Sequence, residues 1–177
     1  MSVALDYSRE EAIAEERPLK AQYLMALKIV ERLHRLLLDV VKNEFERVGR
    51  MDVNGVQALL LYNIGDCELT AGEIRSRGYY LGSNVSYNLK KLVDAGYIHH
   101  QRSKTDRRSV RIRLTQKGKE VYNVVNSLYE RQLTMIEKVG GLSVGDLKAL
   151  NSSLAKLERF WSDQIRFRLL CIDPNGG

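Results

Sequence analysis

Cysteine is almost absent from this chain: there are 2 in 177 residues, Cys67 and Cys171, far apart and without C-x-x-C spacing. That excludes a disulfide framework and a cysteine-rich zinc site. Histidine is nearly as rare, with 3, and neither a glycine-rich phosphate loop nor a nucleophile elbow occurs. The expectation is a protein that is not an enzyme and uses no metal or other cofactor. Proline is scarce too. Pro18 and Pro174 are the only two, so the interior lacks the strongest helix breaker and a helix-rich fold follows. Long apolar runs are missing, and Glu10, Glu11, Glu15 and Glu16 stand where a signal peptide needs basic and then apolar residues. The chain reads as cytosolic, with no membrane partner, no internal repeat and no low-complexity segment.

What is present is positive charge, and it is concentrated. Residues 1–69 hold 9 Lys/Arg against 12 Asp/Glu, residues 70–119 hold 12 against 3, and residues 120–177 hold 7 against 7. The middle segment therefore carries +9 between flanks of −3 and 0. A solvated surface mixes signs. Fifty residues this one-sided form the electrostatic footprint expected where phosphates are neutralised, although charge alone would equally suit RNA or an acidic protein.

The apolar periodicity organises the chain around that segment. Tyr23, Leu27, Val30, Leu37, Val41, Phe45 and Val48, with an adjoining row at Ile29, Leu33, Leu36 and Val40, predict a long amphipathic helix from Pro18 to about Gly49. Asp52 is placed to cap a second helix carrying Val56, Leu59, Leu60 and Ile64 and stopping at Gly65. Thr70-Ala71-Gly72-Glu73 is a capping box opening a short helix to about Arg77. After a turn over Gly78 to Gly82, Ser83 is placed to cap another through Val85, Leu89, Leu92 and Val93 to Gly96. Two short helices across a glycine-bearing turn make a helix-turn-helix.

Strand chemistry follows. Ile98, His100 and Arg102 alternate with His99 and Gln101, the polar stretch Ser103 to Ser109 intervenes, and Val110-Arg111-Ile112-Arg113-Leu114 puts its aliphatic residues on one face and both arginines on the other. This predicts a hairpin with a basic tip and a basic outer face. Helical spacing then resumes at Val121, Val125, Leu128 and Ile136, breaks at Gly140-Gly141, and restarts behind Ser143 and Asp146 with Leu147, Leu150, Leu154, Leu157, Trp161 and Ile165. The fold class is mainly α with a small β-hairpin wing. The domain organisation is a flexible acidic segment at 1–17, a dimerisation helix at 18–51, a winged helix-turn-helix at 52–119, further dimerisation helices at 120–170 and a tail at 171–177.

Val85-Ser86 leading to Leu92-Val93-Asp94-Ala95-Gly96-Tyr97-Ile98, the wing Asp106-Arg107-Arg108-Ser109-Val110, and Leu114-Thr115-Gln116-Lys117-Gly118 resemble the MarR family of bacterial transcription regulators over nearly the whole chain. Gly78-Tyr79-Tyr80-Leu81-Gly82-Ser83-Asn84 resembles its LdtR-like branch. The resemblance implies a homodimeric DNA-binding regulator, by family habit a repressor, with a small-molecule pocket between dimerisation helices and winged domain. On this chain that pocket would be lined by Val40, Asn43, Leu59, Tyr62 and Asn63, for a small apolar or aromatic ligand. Tyr87 departs from the family, where a basic residue is common, so base preference does not transfer.

A recognition helix offers its N-terminal residues to base edges in the major groove. This places Ser83, Asn84, Ser86 and Tyr87 nearest the bases, with Asn84 suited to an adenine, and Lys90 nearer a phosphate. Thr70 and the helix N-termini present N–H groups to phosphates. The resemblance assigns Arg108 to the minor groove with Asp106 holding its guanidinium, and Arg102, Lys104 and Arg107 join the basic wing beside flanking phosphates. The wide apolar faces of the terminal helices exceed what a monomer buries, which predicts a two-fold dimer and a near-palindromic operator.

Blander roles compete. Tyr79 and Tyr80 suit phosphate contact or packing within the domain, and His34 suits an interface histidine better than a pH switch. His99 and His100, adjacent on a strand, point to opposite faces and cannot chelate one metal. Cys67 lies between Asp66 and Glu68, which disfavour a thiolate and so redox sensing. Two other classes remain open: a winged-helix module for an acidic protein partner, and an enzyme with scattered catalytic residues.

Overall fold

The computed structural model describes residues 18–70, 73–74, 82–102 and 110–167, leaving the side chains at 82–85, 102 and 110 outside that description. The described residues form α1 (Pro18–Arg47), α2 (Gly55–Ile64), β1 (Leu69–Thr70), α3 (Gly82–Asp94), β2 (Ile98–Arg102), β3 (Val110–Leu114), α4 (Gln116–Ile136) and α5 (Val144–Phe167). The chain divides into two compact units, Met1–Leu128 and Tyr129–Gly177.

In the first unit, α1 starts at Pro18 as expected, since its missing N–H costs nothing at a helix start. Only the C-terminal part of the helix is buried, at Val41, Glu44 and Phe45. Glu44 is paired there with Arg47, Oε1 to Nη2 at 2.7 Å. The predicted cap of α2 is corrected. Asn54, not Asp52, is the N-cap: its side chain accepts from Gln57 N–H at 2.9 Å, and Gln57 Oε1 accepts from Asn54 N–H at 3.2 Å. The reciprocal pair three residues apart satisfies two helix-end donors, which Asp52 has no matching residue to do.

Leu60, Leu61, Ile64, Ile74, Leu92, Ile112, Val121 and Val125 make the centre of the core, each 2% exposed or less. The capping box at Thr70 is formed: Thr70 N–H donates to Glu73 Oε2 at 2.6 Å and Glu73 N–H to Thr70 Oγ1 at 3.1 Å. The helix extent to Arg77, and Tyr79 and Tyr80, lie outside the described residues. α3 begins at Gly82, so Ser83 belongs to its first turn rather than standing ahead of it as a cap. The helix closes on Gly96 at φ +76, where Gly96 N–H donates to Val93 O at 2.9 Å and Tyr97 N–H to Leu92 O at 2.8 Å. This double bond pattern needs a left-handed residue, and glycine adopts it without strain.

The sheet has a strand that the sequence reading lacked. Its order is β1-β3-β2, all antiparallel, with Ile98 opposite Leu114, His99 opposite Arg113, His100 opposite Ile112, Gln101 opposite Arg111, and Leu69 opposite Ile112. β1 is only two residues long and carries no period to read, yet it covers the edge of β3 that a bare hairpin would leave unpaired. The inner face is apolar, with Leu69, Ile98, Ile112 and Leu114 buried.

The second unit comprises the last turns of α4, the Gly140-Gly141 break and α5. Ser143 caps α5: Asp146 N–H donates to Ser143 Oγ at 3.1 Å, and Ser143 N–H returns to Asp146 Oδ2 at 2.9 Å. Bonds from the Ser143 side chain and backbone hold the Asp146 carboxyl below its ordinary pKa. No residue of α5 is buried within the chain. Leu150, Leu154, Phe160, Ile165 and Phe167 are all exposed.

Candidate DNA interface

Among the described residues, the winged part of the first unit carries exposed basic side chains on two surfaces. One is the outer side of α3. Leu89 and Leu92 are buried, while Ser86, Tyr87, Lys90 and Lys91 are exposed. Lys91 Nζ lies over the Tyr87 ring, 4.6 Å from its centroid, a contact sequence reasoning did not identify although the i, i+4 spacing allows it. The other surface is the outer face of the sheet. Its register sets His99 opposite Arg113, Gln101 opposite Arg111, and Thr70 opposite Arg111. Arg111 is partly neutralised by Glu68, Nε to Oε1 at 3.4 Å. Arg111, Arg113, His99 and Gln101 are exposed.

A polar cluster fixes where α3 ends relative to α1 and α4. Tyr97, 1% exposed, donates its hydroxyl to Asp52 Oδ2. Burial and then this bond push the Tyr97 hydroxyl up to about 12, and the same bond draws the Asp52 carboxyl below its ordinary value. Lys117 Nζ sits over the Tyr97 ring at 4.1 Å, reaches Asp52 Oδ2 at 3.8 Å and donates to Ala95 O at 3.2 Å. Arg50 bridges Asp52 Oδ1 at 3.9 Å and Glu120 Oε2 at 3.2 Å. Thr115 completes the junction, its N–H donating to Tyr97 O at 3.0 Å, its hydroxyl to Gly96 O at 2.8 Å, while Oγ1 accepts from Gly118 N–H at 3.1 Å. At Gly118 a Cβ would collide with the Tyr97 carbonyl, so only glycine lets α4 start this close to the exit of α3. The Leu114-Thr115-Gln116-Lys117-Gly118 motif is thus a joint between wing, recognition helix and α4.

Of the expected DNA-contacting residues, Ser86, Tyr87 and Lys90 share the exposed part of α3, and Thr70 lies at the end of β1. Ser83 and Asn84 lie in the first turn of α3 and Arg102 ends β2, with side chains outside the description; Lys104, Asp106, Arg107 and Arg108 lie outside the described residues. The expected pocket residues are not alike. Leu59 is buried, Val40, Tyr62 and Asn63 are half-buried, and Asn43 is exposed. The Tyr62 ring stacks on Tyr122 of α4, centroids 5.2 Å apart and planes 15° apart, so aromatic surface at this place is satisfied within the chain.

Cys67 is exposed between α2 and β1, His34 is exposed on α1, and His99 and His100 are both exposed. Among the described residues no group of three or more His, Cys, Asp or Glu is arranged to hold a metal. None of the described helices is long and apolar enough to cross a membrane.

Comparison with known proteins agrees with this architecture. The sequence model of the family described as winged helix DNA-binding domain matches residues 53–118. The chain is 34% identical over 148 residues, 82% of its own length and 74% of the other's, to the exopolysaccharide II synthesis transcriptional activator ExpG of Rhizobium meliloti. Among solved structures it is similar to the transcriptional regulator SlyA, with a TM-score of 0.66 at 20% identity, covering 80% of this chain and 97% of that one. It is also similar to a cysteine-to-serine variant of MarR from E. coli complexed with operator DNA, TM-score 0.61 at 18% identity over 81% and 96% of the two chains. FabT of Streptococcus pneumoniae in complex with DNA gives 0.59 at 22% identity over 80% and 98%. The chain belongs to the MarR family of winged helix-turn-helix proteins and is a DNA-binding transcriptional regulator of that type.

Proposed function

We propose that the protein binds a near-palindromic operator as a homodimer, with α3 in the major groove and the wing in the adjacent minor groove. The observation that carries this reading is the +9 charge of residues 70–119 borne by a winged helix with an exposed recognition face. A two-fold axis would set two copies of α3 about 34 Å apart, one turn of DNA. The apolar residues left exposed on α1, Leu33, Leu36 and Leu37 among them, and those on α5 support pairing of two chains.

Within the site, Asn84 is assigned to an adenine, Ser83, Ser86 and Tyr87 to the neighbouring base edges, Arg108 to the minor groove with Asp106 orienting it, and Lys90, Arg102, Lys104, Arg107 and Thr70 to positioning on the backbone. A small apolar or aromatic ligand near Val40, Asn43, Leu59, Tyr62 and Asn63 would modulate binding by favouring one spacing of the two lobes. Repression is the family habit, while the Rhizobium relative is named as an activator. The same grip serves either outcome, since the operator's position relative to the promoter sets the sign.

The test is binding of the purified protein to its own upstream DNA at two salt concentrations, beside Arg108→Ala and Asn84→Ala. Tight, salt-sensitive, selective binding is expected, weakened by Arg108→Ala and made less selective by Asn84→Ala, each by about 1–3 kcal/mol. Weak, equal binding to every duplex, unaltered by either substitution, would transfer the winged helix to an acidic protein partner.

A further inference from the structure

We propose that Tyr87 reads the C5-methyl group of a thymine, with Lys91 positioning its ring, an inference that rests on the reading that α3 enters the major groove. Leu89 and Leu92, 7% and 1% exposed, define the inward side of α3. At about 100° per residue, Tyr87 projects from the opposite side, flanked by Lys91 and Asp94. It is 59% exposed, so its ring does not serve the domain's own core. An aromatic residue at the centre of a solvent-facing recognition surface leaves apolar area open to a partner.

The ring is not left to rotate freely. The Lys91 ammonium lies 4.6 Å from the ring centroid, attracted by the negative face of the π system. That contact favours one orientation of Tyr87, and at 59% exposure the residue still offers ring surface to a partner. Lys91 has no acceptor atom and is exposed, so its charge can also meet a phosphate beside the groove.

The chemistry of the groove selects the partner. In the major groove guanine presents two acceptors, cytosine a donor, adenine an acceptor and a donor, and only thymine an apolar group, its methyl. A tyrosine ring lacks the paired donors that guanine needs and the donor-acceptor pair that adenine needs. The hydroxyl could accept from cytosine, a contact that Tyr87→Phe would abolish, whereas the flat apolar surface of the ring finds a counterpart only in the thymine methyl.

The experiment uses a duplex selected from a random pool by the purified protein and rebuilt with deoxyuridine replacing each thymidine in turn. Each change removes one methyl and keeps the base pair. At one thymine, and at its symmetry mate, affinity should fall about fourfold, the value of one buried methyl-sized group; at other thymines it should not change. Tyr87→Ala should abolish that discrimination and Tyr87→Phe preserve it. Lys91→Met should reduce it and Lys91→Arg restore it, with the same thermal midpoint throughout. If a duplex is selected but no thymine behaves so, or the discrimination survives Tyr87→Ala, the proposal is overturned while the DNA reading stands. If no duplex is selected, both fall.

Discussion

The helices α1 and α5 are both long and amphipathic, yet they stand in opposite relation to the chain's own core. The C-terminal part of α1 inserts Val41 and Phe45 into the winged unit, at 0% and 2% exposure, whereas α5 buries nothing over its 24 residues. Every buried apolar residue among those described lies at or before Leu128. Amphipathicity therefore has two meanings here. In the first unit it is used within one chain, while along α5 and the N-terminal part of α1 it leaves apolar side chains exposed.

The largest effect that would sharpen this contrast comes from a matched pair of truncations. Leu60→Ala, at a position 0% exposed, should cost about 2–5 kcal/mol through lost burial and the cavity left behind. Urea unfolding should show that loss at every protein concentration. Leu154→Ala, at a residue 40% exposed on α5, should leave the winged unit's stability within about 0.5 kcal/mol. It should instead weaken dimerisation, read by sedimentation at several concentrations, so that its apparent stability loss grows on dilution. Equal, concentration-independent losses from the two substitutions would erase the distinction between the units.

Legibility in the sequence followed the range of the interactions. The capping boxes at Thr70 with Glu73 and at Ser143 with Asp146 were readable because both partners lie three residues apart. The recognition helix and the hairpin were readable from period alone, and the wing's inward and outward faces from alternation. Asp52 was misjudged for the opposite reason. Its partner Tyr97 is 45 positions away, and a better local cap, Asn54 with Gln57, begins two residues later. β1 was missed because two residues carry no period, and it exists only by pairing with β3. The joint role of Thr115, Lys117 and Gly118 was visible as a motif but not as a mechanism, since it depends on how closely α4 approaches the Tyr97 carbonyl. Asn84 and Arg108 rest on sequence and resemblance.

A smaller effect probes the joint. Tyr97→Phe keeps the buried ring and removes the hydroxyl bond to Asp52, whose side chain is half exposed. The expected loss is about 1 kcal/mol near neutral pH. Its pH dependence has a definite sign. The Tyr97 value is raised from 10.0 to about 12, so the bond's contribution is complete below pH 10 and disappears as pH rises through 12. Asp52 is shifted the other way, below 3.8. Its contribution is present above that value and disappears as pH falls below it. Wild type and Tyr97→Phe should therefore differ most between these limits and converge in strong alkali. A constant difference across the alkaline range would mean that the hydroxyl acts through packing.

The smallest effect separates stability from function within the winged unit itself. Glu68 and Arg111 form a pair at 3.4 Å with both side chains 49% exposed. Solvent screening makes such a pair worth about 0–1 kcal/mol to the fold, so Glu68→Gln should hardly move the thermal midpoint. Its consequence should appear on DNA. Removing one negative charge from the edge of a basic sheet frees Arg111 to attract phosphate, so affinity for any duplex should rise modestly. If Arg111 then engages one phosphate, the slope of log affinity against log salt steepens by about 0.9. The gain should be the same on selected and unrelated DNA, because a backbone contact carries no sequence information. An unchanged slope would place the outer sheet face away from the phosphates. Binding would then be confined to α3 and the wing tip, and the two surfaces of the positive segment would have separate purposes.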